Sequence, residues 1–327
     1  MGRVVLITGV ARDLGSRLAR RLATTPGVDK VVGLDVLPPG GDLHGVKFVR
    51  ADIRTPVVGK VLAVEDVDTV VHAALAPPQR QLGSRTAVKE TNVIGTMQLL
   101  AACQSSRTVE RLVVSSSAAV YGSSPRDPAM FTEQMSARAG VSSGFGKDVV
   151  DVEGYVRGFG RRRPDIAVAT LRVASVLAGD VLSPFGELLR LPVIPATLGY
   201  DPRLQFVHPY DVLNVLTLAA TGDVDGTYNV AGPQVTTVSQ MARRLSRPLL
   251  RIPSIGFSPT TSRVVRLMNS DYYPELSRLL MYGRVVDGER LTRDLGYEML
   301  YSTPQTLDAF AEAIDPGLLT TVGGPRG

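Results

Sequence analysis

Thr8-Gly9-Val10-Ala11-Arg12-Asp13-Leu14-Gly15 joins a short apolar run, residues 3–7, to a segment in which Leu14, Leu18 and Leu22 recur every four positions among arginines. A continuous β-branched run reads as a strand buried on both faces. Apolar residues at spacing four read as an amphipathic helix, here over 13–24. The glycine-bearing turn between them presents backbone N–H groups and the positive end of the helix, the geometry that receives a pyrophosphate. Asp35 ends a second strand-like run, 30–36, twenty residues after Gly15. A carboxylate there suits the hydroxyls of an adenosine ribose, so the pattern predicts a dinucleotide site, with NAD preferred and NADP as the alternative. The competing reading is a plain strand–helix turn followed by a surface aspartate. Three features agreeing in order and spacing favour the nucleotide.

Outward from this unit, strand-like and helix-like segments alternate. Residues 46–50, 69–72, 111–115 and 167–171 read as strands, and 84–105 and 144–160 as helices. In the first helix Val88, Val93, Met97, Leu100 and Ala101 fall roughly on one side; in the second Val149, Val152, Val156 and Phe159 do. Arg161-Arg162-Arg163-Pro164 marks the end of the second helix, since cations favour a helix C-terminus and proline cannot continue it. Such alternation predicts an α/β fold, a doubly wound parallel sheet of Rossmann type with helices on both faces. Beyond residue 175 the prolines at 184, 192, 195 and 202 break the pattern. Segments 205–207 and 228–230 read as short strands, and 236–246, 287–295 and 304–313 as short helices. The expected organisation is a dinucleotide-binding domain at 1–174, with 204–232 returning to it. A smaller substrate domain is expected from 175–203 and 233–315, followed by a flexible tail at 316–327.

Composition narrows the function classes. The chain has 327 residues, 44% of them hydrophobic and 20% charged, ample for a sizeable core. The single cysteine, Cys103, excludes an internal disulfide and a multi-cysteine zinc site. Three dispersed histidines, His44, His72 and His208, argue against a metal centre. The formal net charge of +5 is mild, and only five of the cations are lysine. Residues 161–163 read as a solvated helix end, and no nucleic-acid partner is expected. Residues 168–178 and 212–220 are the most apolar stretches, but they are short and broken by Arg172 and Asn214. With no signal-like N-terminal segment and no membrane span, a cytoplasmic protein is expected.

Further segments, in order, resemble the extended short-chain dehydrogenase/reductase family, in particular its nucleotide-sugar epimerase/dehydratase branch. Thr8-Gly9…Gly15 is similar to its T-G-x-x-G-x-x-G loop. Ala51-Asp52-Ile53-Arg54 resembles the segment lying against the adenine, and His72-Ala73-Ala74 the strand end beneath the cofactor. Asn92-Val93-Ile94-Gly95-Thr96 resembles an N-V-x-G-T helix, and the run from Val113 to Gly122 the strand and loop that carry an active-site serine. Leu171-Arg172-Val173, Phe206-Val207-His208-Pro209-Tyr210-Asp211-Val212, Gly226-Thr227-Tyr228-Asn229-Val230 and Leu295-Gly296-Tyr297 match later elements. The resemblance implies cofactor contacts from Gly9, Arg12, Asp13, Leu14, Gly15, Asp35, Asp52, Ile53, Ala73, Ala74, Asn92, Ser115 and Lys147. It implies a substrate-oxygen contact from Ser117 and a small-molecule substrate such as a nucleotide sugar. It also implies a homodimer through 84–105 and 144–160.

Two departures bear on chemistry. The middle glycine of the loop is Arg12, which would obstruct the cofactor, add a cation near its phosphates, or meet a 2′-phosphate. The family's Tyr-x-x-x-Lys places a phenol and an ammonium one helical turn apart, and the cation lowers the phenol's pKa for proton exchange with a substrate hydroxyl. Here Lys147 is retained in Ser142-Ser143-Gly144-Phe145-Gly146-Lys147, while Ser143 stands in place of the tyrosine. A serine is far less acidic and shorter, and needs a separate base. Tyr121 resembles a structural V-Y-G tyrosine. The serine triplet 115–117 has a competing reading as turn chemistry. On the substrate side, Glu133 is a loop contact or a helix cap, His208 a contact or a strand-end polar residue, and Arg203 and Arg172 anion contacts or structural pairs. Two functional classes follow: an enzyme acting on a hydroxyl or ketone substrate, and a catalytically silent or non-redox dinucleotide binder. An RNA-binding role is the third and least supported.

Overall fold

The computed structural model describes residues 2–77, 84–135, 141, 144–255, 257, 259, 260, 263 and 274–317. Ser142 and Ser143, and the tail beyond 317, lie outside the described residues.

The apolar runs form the strands that their composition dictates. The main sheet contains β1 (Arg3–Thr8), β2 (Val28–Asp35), β3 (Val46–Arg50), β4 (Thr69–His72), β5 (Arg111–Ser117), β6 (Ala167–Val173) and β7 (Gly226–Val230). Their order is β3-β2-β1-β4-β5-β6-β7, and every pairing is parallel. This is the doubly wound arrangement expected from the alternation. Successive residues of β1 point to opposite layers. Val5 and Ile7 join the core under α1 (Asp13–Ala23) and α6 (Pro209–Thr221). Leu6 joins the core under α2 (Val57–Glu65), α3 (Arg85–Ser105) and α4 (Gly144–Arg162).

The helix faces differ in one instructive way. Val149, Val152, Val156 and Phe159 of α4 are buried as their spacing predicts. On α3 the expected face is partly wrong. Met97 and Ala101 are exposed, and the buried face is built from Val88, Asn92, Gly95, Thr96, Leu99, Leu100 and Cys103. Gly95 sits on that face because a Cβ there would lie 2.7 Å from Ile53 Cγ2. Small and polar residues therefore bring α3 close to the turn at Asp52–Ile53, where an apolar count would have rotated the helix away.

Residues beyond β6 form a second core. It gathers Phe185 and Leu188 of α5 (Pro184–Arg190), Met241 of α7 (Val238–Arg244), Leu280 of α8 (Pro274–Tyr282), Phe310 of α10 (Thr303–Glu312), Ile194 and Phe206 of short strands, and Leu177 and Phe257. The helix α9 (Glu289–Leu295) packs Leu291 into the first core instead. Two-residue strands pair 175–176 with 206–207 and 203–204 with 236–237, and Ile194–Thr197 pairs with Leu249–Ile252. The segment read as a strand at 205–207 is one at 206–207, which Gln205 separates from a second short strand at 203–204.

Arg172, at the end of β6, is a structural pair. Its guanidinium donates to Glu153 of α4 at 2.7 Å, with both side chains under 5% exposed. It also donates to the Tyr121 hydroxyl at 2.8 Å, which in turn donates to Asn229 Oδ1 at 2.8 Å. Ser116 Oγ donates to Glu153 at 2.7 Å. Burial works against the cation, yet the hydrogen bonds and charge of Glu153 outweigh it and hold the guanidinium pKa up. Removing one member of a buried pair leaves an uncompensated charge. Arg172→Leu is expected to lower the unfolding free energy by about 3–5 kcal/mol, measured by chemical denaturation. The double variant Arg172→Met with Glu153→Leu is expected to lose much less, and equal losses would contradict this account.

Candidate functional site

The C-terminal ends of the main-sheet strands open onto a cleft of about 920 Å³. In open α/β sheets this is where ligands enter, at the point where strand order reverses between β1 and β4. The first wall is the loop after β1. Gly9 has φ +83°, a left-handed conformation, and a Cβ on it would meet Ala74 Cα at 2.9 Å. A Cβ on Gly15 would lie 2.1 Å from the Gly9 carbonyl oxygen. Both glycines are therefore required by the protein itself. Arg12 differs, since its φ of −92° and ψ of 154° are extended and suit any residue. The middle glycine of the motif is thus dispensable to the fold, and what replaces it bears on the ligand.

Asp35 fastens this wall. Its carboxylate accepts from Ala11 N at 3.0 Å, from Val36 N at 2.7 Å and from Leu37 N at 3.4 Å. Asp13, in the first turn of α1, accepts from Arg17 at 2.9 Å, while its Oδ2 is buried without a hydrogen-bond partner. Burial raises the Asp13 carboxyl pKa against the pull of Arg17. Asp52 receives the Arg54 guanidinium at 2.7 Å, which lowers its pKa.

Beneath the loop, His72 is fully buried between two threonines. Its Nδ1 lies 2.8 Å from Thr8 Oγ1 and its Nε2 lies 2.8 Å from Thr96 Oγ1. The Thr96 hydroxyl donates its proton to the Asn92 carbonyl. By this network Nε2 carries the hydrogen and Nδ1 accepts from Thr8, which joins β1, β4 and α3 through one neutral ring.

The sequence-derived residues sort cleanly by position. Gly9, Arg12, Asp13, Leu14, Gly15, Asp35, Asp52, Ile53, Ala73, Ala74, Ser115 and Ser117 all line the cleft. Ser117 Oγ also accepts from Ala119 N at 3.2 Å, capping a 3-10 turn, so it serves the turn and faces the cleft. Asn92 stands behind the wall. Its side chain brackets Ala76, accepting from the N–H at 3.2 Å and donating to the carbonyl at 3.0 Å. Lys147 is not among the lining residues and pairs with Asp151. From α4 the lining takes Phe145 and Gly146, and one turn after Phe145 stands Val149, fully buried. Glu133, His208 and Arg203 also lie outside the lining. Glu133 accepts from Asn229 N at 2.9 Å, neither a cap nor a cleft contact. His208 caps α6, accepting from Tyr210 N at 3.2 Å, and stacks on Tyr301. Arg203 donates to the Ala129 carbonyl at 3.1 Å.

The far wall was not anticipated. It includes Asp127, Asp180, Glu275, Arg278 and Arg284. Arg284 reaches the cleft because residues 284–287 run beside Phe131 and Arg203. Phe131 N donates to Val285 O at 2.8 Å, Asp287 N to Phe131 O at 2.7 Å, and Arg284 N to Arg203 O at 3.0 Å. No local spacing signals this return. Among the described residues no cluster of histidine, cysteine or carboxylate side chains suits a metal ion, and no helix is long and apolar enough to cross a membrane.

Fold and cleft together define a Rossmann-type α/β protein. The sequence pattern of the NAD-dependent epimerase/dehydratase family matches residues 5–231, and the chain belongs to that family. An uncharacterized protein of Mycobacterium tuberculosis is 42% identical over 316 residues, covering 94% of this chain and 83% of its own length. Among solved structures, the dTDP-glucose 4,6-dehydratase of Bacillus anthracis in complex with NAD superposes with a TM-score of 0.71 at 17% identity, covering 95% of this chain and 96% of that one. The UDP-glucose 4-epimerase of Thermotoga maritima with UDP-glucose gives a TM-score of 0.71 at 20% identity, covering 95% and 98%. At these identities the likeness is one of fold.

The buried histidine yields a pH prediction. Burial first, then the nearby Arg12 cation, lowers the His72 pKa from 6.5 to about 3. Between those values the unfolded chain binds a proton that the folded chain does not. The His72 contribution is therefore intact above pH 6.5 and is lost as pH falls toward 3, by up to about 1.4 kcal/mol per pH unit. His72→Asn is expected to flatten the acid side of the stability profile by about one proton relative to the parent, read from denaturant unfolding between about pH 4 and 7. Identical slopes in the two proteins would refute the assignment.

Proposed function

We propose that the chain binds NAD across the β1 loop and that the remainder of the cleft takes a second ligand of the nucleotide-sugar class. The observation that carries the reading is one continuous cleft linking the Gly9–Gly15 loop and Asp35 to Ser117 and onward to Arg278 and Arg284. The residues fit a dinucleotide. The ordered carboxylate of Asp35 would meet the adenosine ribose, with Asp52 and Ile53 beside the base. The N–H groups opening α1 would face the diphosphate, and Ser117 would donate to an oxygen of the second ligand. Arginines 278 and 284 on the far wall suit a second phosphate-bearing ligand. Bound NAD would supply hydride exchange; the protein supplies orientation and exclusion of water. The family membership and the NAD-bound and UDP-glucose-bound relatives of the same fold support the assignment.

A specific observation favours binding without ordinary sugar oxidation. The part of α4 that meets the cleft offers Phe145 and Gly146, while Lys147 turns to Asp151. Neither an aromatic hydrocarbon nor glycine accepts the proton that a substrate hydroxyl must lose when hydride leaves its carbon. We read the chain as a dinucleotide-binding member of the family that does not follow the family's tyrosine–lysine chemistry. The proposed setting is the cytoplasm. The proposed assembly is a dimer through α3 and α4, which pack on each other and expose Ile94, Met97 and Tyr155.

Titration calorimetry with NAD and NADP tests the central reading. NAD is expected to bind more tightly than NADP, because a 2′-phosphate would approach the Asp35 carboxylate. Asp35→Asn is expected to weaken NAD about tenfold, the scale of one charge-assisted hydrogen bond. Absence of NAD binding would overturn the proposal. With UDP-glucose added, no reduced nicotinamide should accumulate, and its appearance would overturn the silent reading alone. Light scattering of Met97→Asp against the parent tests the dimer, which the variant should dissociate.

A further inference from the structure

Arg12 combines features that a surface arginine does not have. It stands where the family's loop has its middle glycine, yet its backbone needs no glycine. Its side chain turns into the cleft, where Nη1 donates to the Ala74 carbonyl. Among the described residues that is the guanidinium's one hydrogen bond, and no carboxylate pairs with it directly. A guanidinium carries five N–H donors in a rigid fork. Most of that capacity therefore faces a cavity, in a site dry enough that burial pulls the guanidinium pKa down against the attraction of Asp35. A desolvated cation with spare donors is stabilised by an anion placed among them.

Strand order says which anion. Asp35, the ribose-side residue, ends β2 on one side of β1. Ala74 follows β4 on the other side. The Arg12 side chain runs from the loop after β1 toward β4, away from the ribose end, over the path on which a diphosphate would cross from one half of the cleft to the other.

We propose that Arg12 is an anion-binding arm for the dinucleotide's diphosphate, exchanging its contact with the Ala74 carbonyl for phosphate oxygens when the ligand enters. This rests on the reading of the cleft as an NAD site and adds to it how the loop works without its middle glycine. The close approach of a bare backbone is replaced by a charge-assisted pair. The Ala74 carbonyl holds the arm inside the cleft beforehand, which limits the side-chain entropy lost on binding.

Calorimetric titrations of the parent, Arg12→Gln and Arg12→Gly with NAD, NADP, ADP and adenosine test the proposal. Both variants are expected to weaken NAD and ADP by about 10- to 100-fold. Adenosine, which lacks the diphosphate, should change less than about twofold. The ratio of NAD to NADP affinity should stay constant, since the arm points away from the ribose hydroxyls. Raising ionic strength should weaken NAD binding to the parent more than to the variants. Equal or tighter NAD binding by Arg12→Gly would show that the side chain is a plug and overturn the proposal while leaving the NAD site standing. A selective loss of NADP would instead place the arm at the ribose and likewise overturn it. A parent that binds neither NAD nor ADP would overturn the underlying site assignment, and this proposal with it. Thermal melting of the apo proteins identifies any variant whose loss is one of folding, and the other variant then decides.

Discussion

The close approach of Gly15 to the Gly9 carbonyl is the constraint on which the cleft depends. With 2.1 Å left for any Cβ, α1 starts hard against the end of β1. This fixes where the first-turn N–H groups point and where Arg12 begins. Gly9 is pressed in turn against Ala74, so the segments that leave β1 and β4 meet at one place. His72 locks that place from below through Thr8 and Thr96. Asp35 locks it from the side through Ala11. Two glycines, one neutral imidazole and one carboxylate thus build a rigid edge out of short-range geometry, and the remaining walls are assembled around it.

Much of this edge was legible in the amino-acid sequence, for a physical reason. Parallel strands buried on both faces are written as continuous β-branched runs, and glycines required by backbone crowding cannot be substituted, so both signals are local. The run ending in Asp35 and the serines of β5 were readable in the same way. The helix α6 had its signals too, in His208 as cap and Pro209 in the first turn followed by Val212, Val215, Leu216 and Ala219. The expectation took residues 206–212 only as a segment resembling the family and read no helix there.

What could not be read was set by distance along the chain. The face of α3 is decided by how closely Gly95 and Thr96 let it approach Ile53 and His72, and an apolar count is blind to that. The far wall depends on residues 284–287 returning beside Phe131. Glu275, Arg278 and Arg284 carry no spacing that announces it. Substrate-side expectations for Glu133, His208 and Arg203 attached to residues that the fold employs as fasteners. Polar residues near a cleft have two uses, binding a ligand and holding the wall, and residue type does not distinguish them. The same ambiguity applied to Arg172, whose guanidinium is held by Glu153, Tyr121 and the carbonyls of Glu133 and Met135.

The strap formed by residues 284–287 makes the two halves of the molecule mechanically continuous. Its backbone is tied to Phe131 and Arg203, and the Arg284 side chain donates to the Gly122 carbonyl at 2.8 Å. Gly122 follows directly on the turn that Ser117 caps. The far wall is therefore tied by a hydrogen bond to the far end of the 3-10 turn that Ser117 caps. A ligand seated against Arg284 would be felt at Ser117 without touching it, so the two ends of the cleft would behave as coupled compartments.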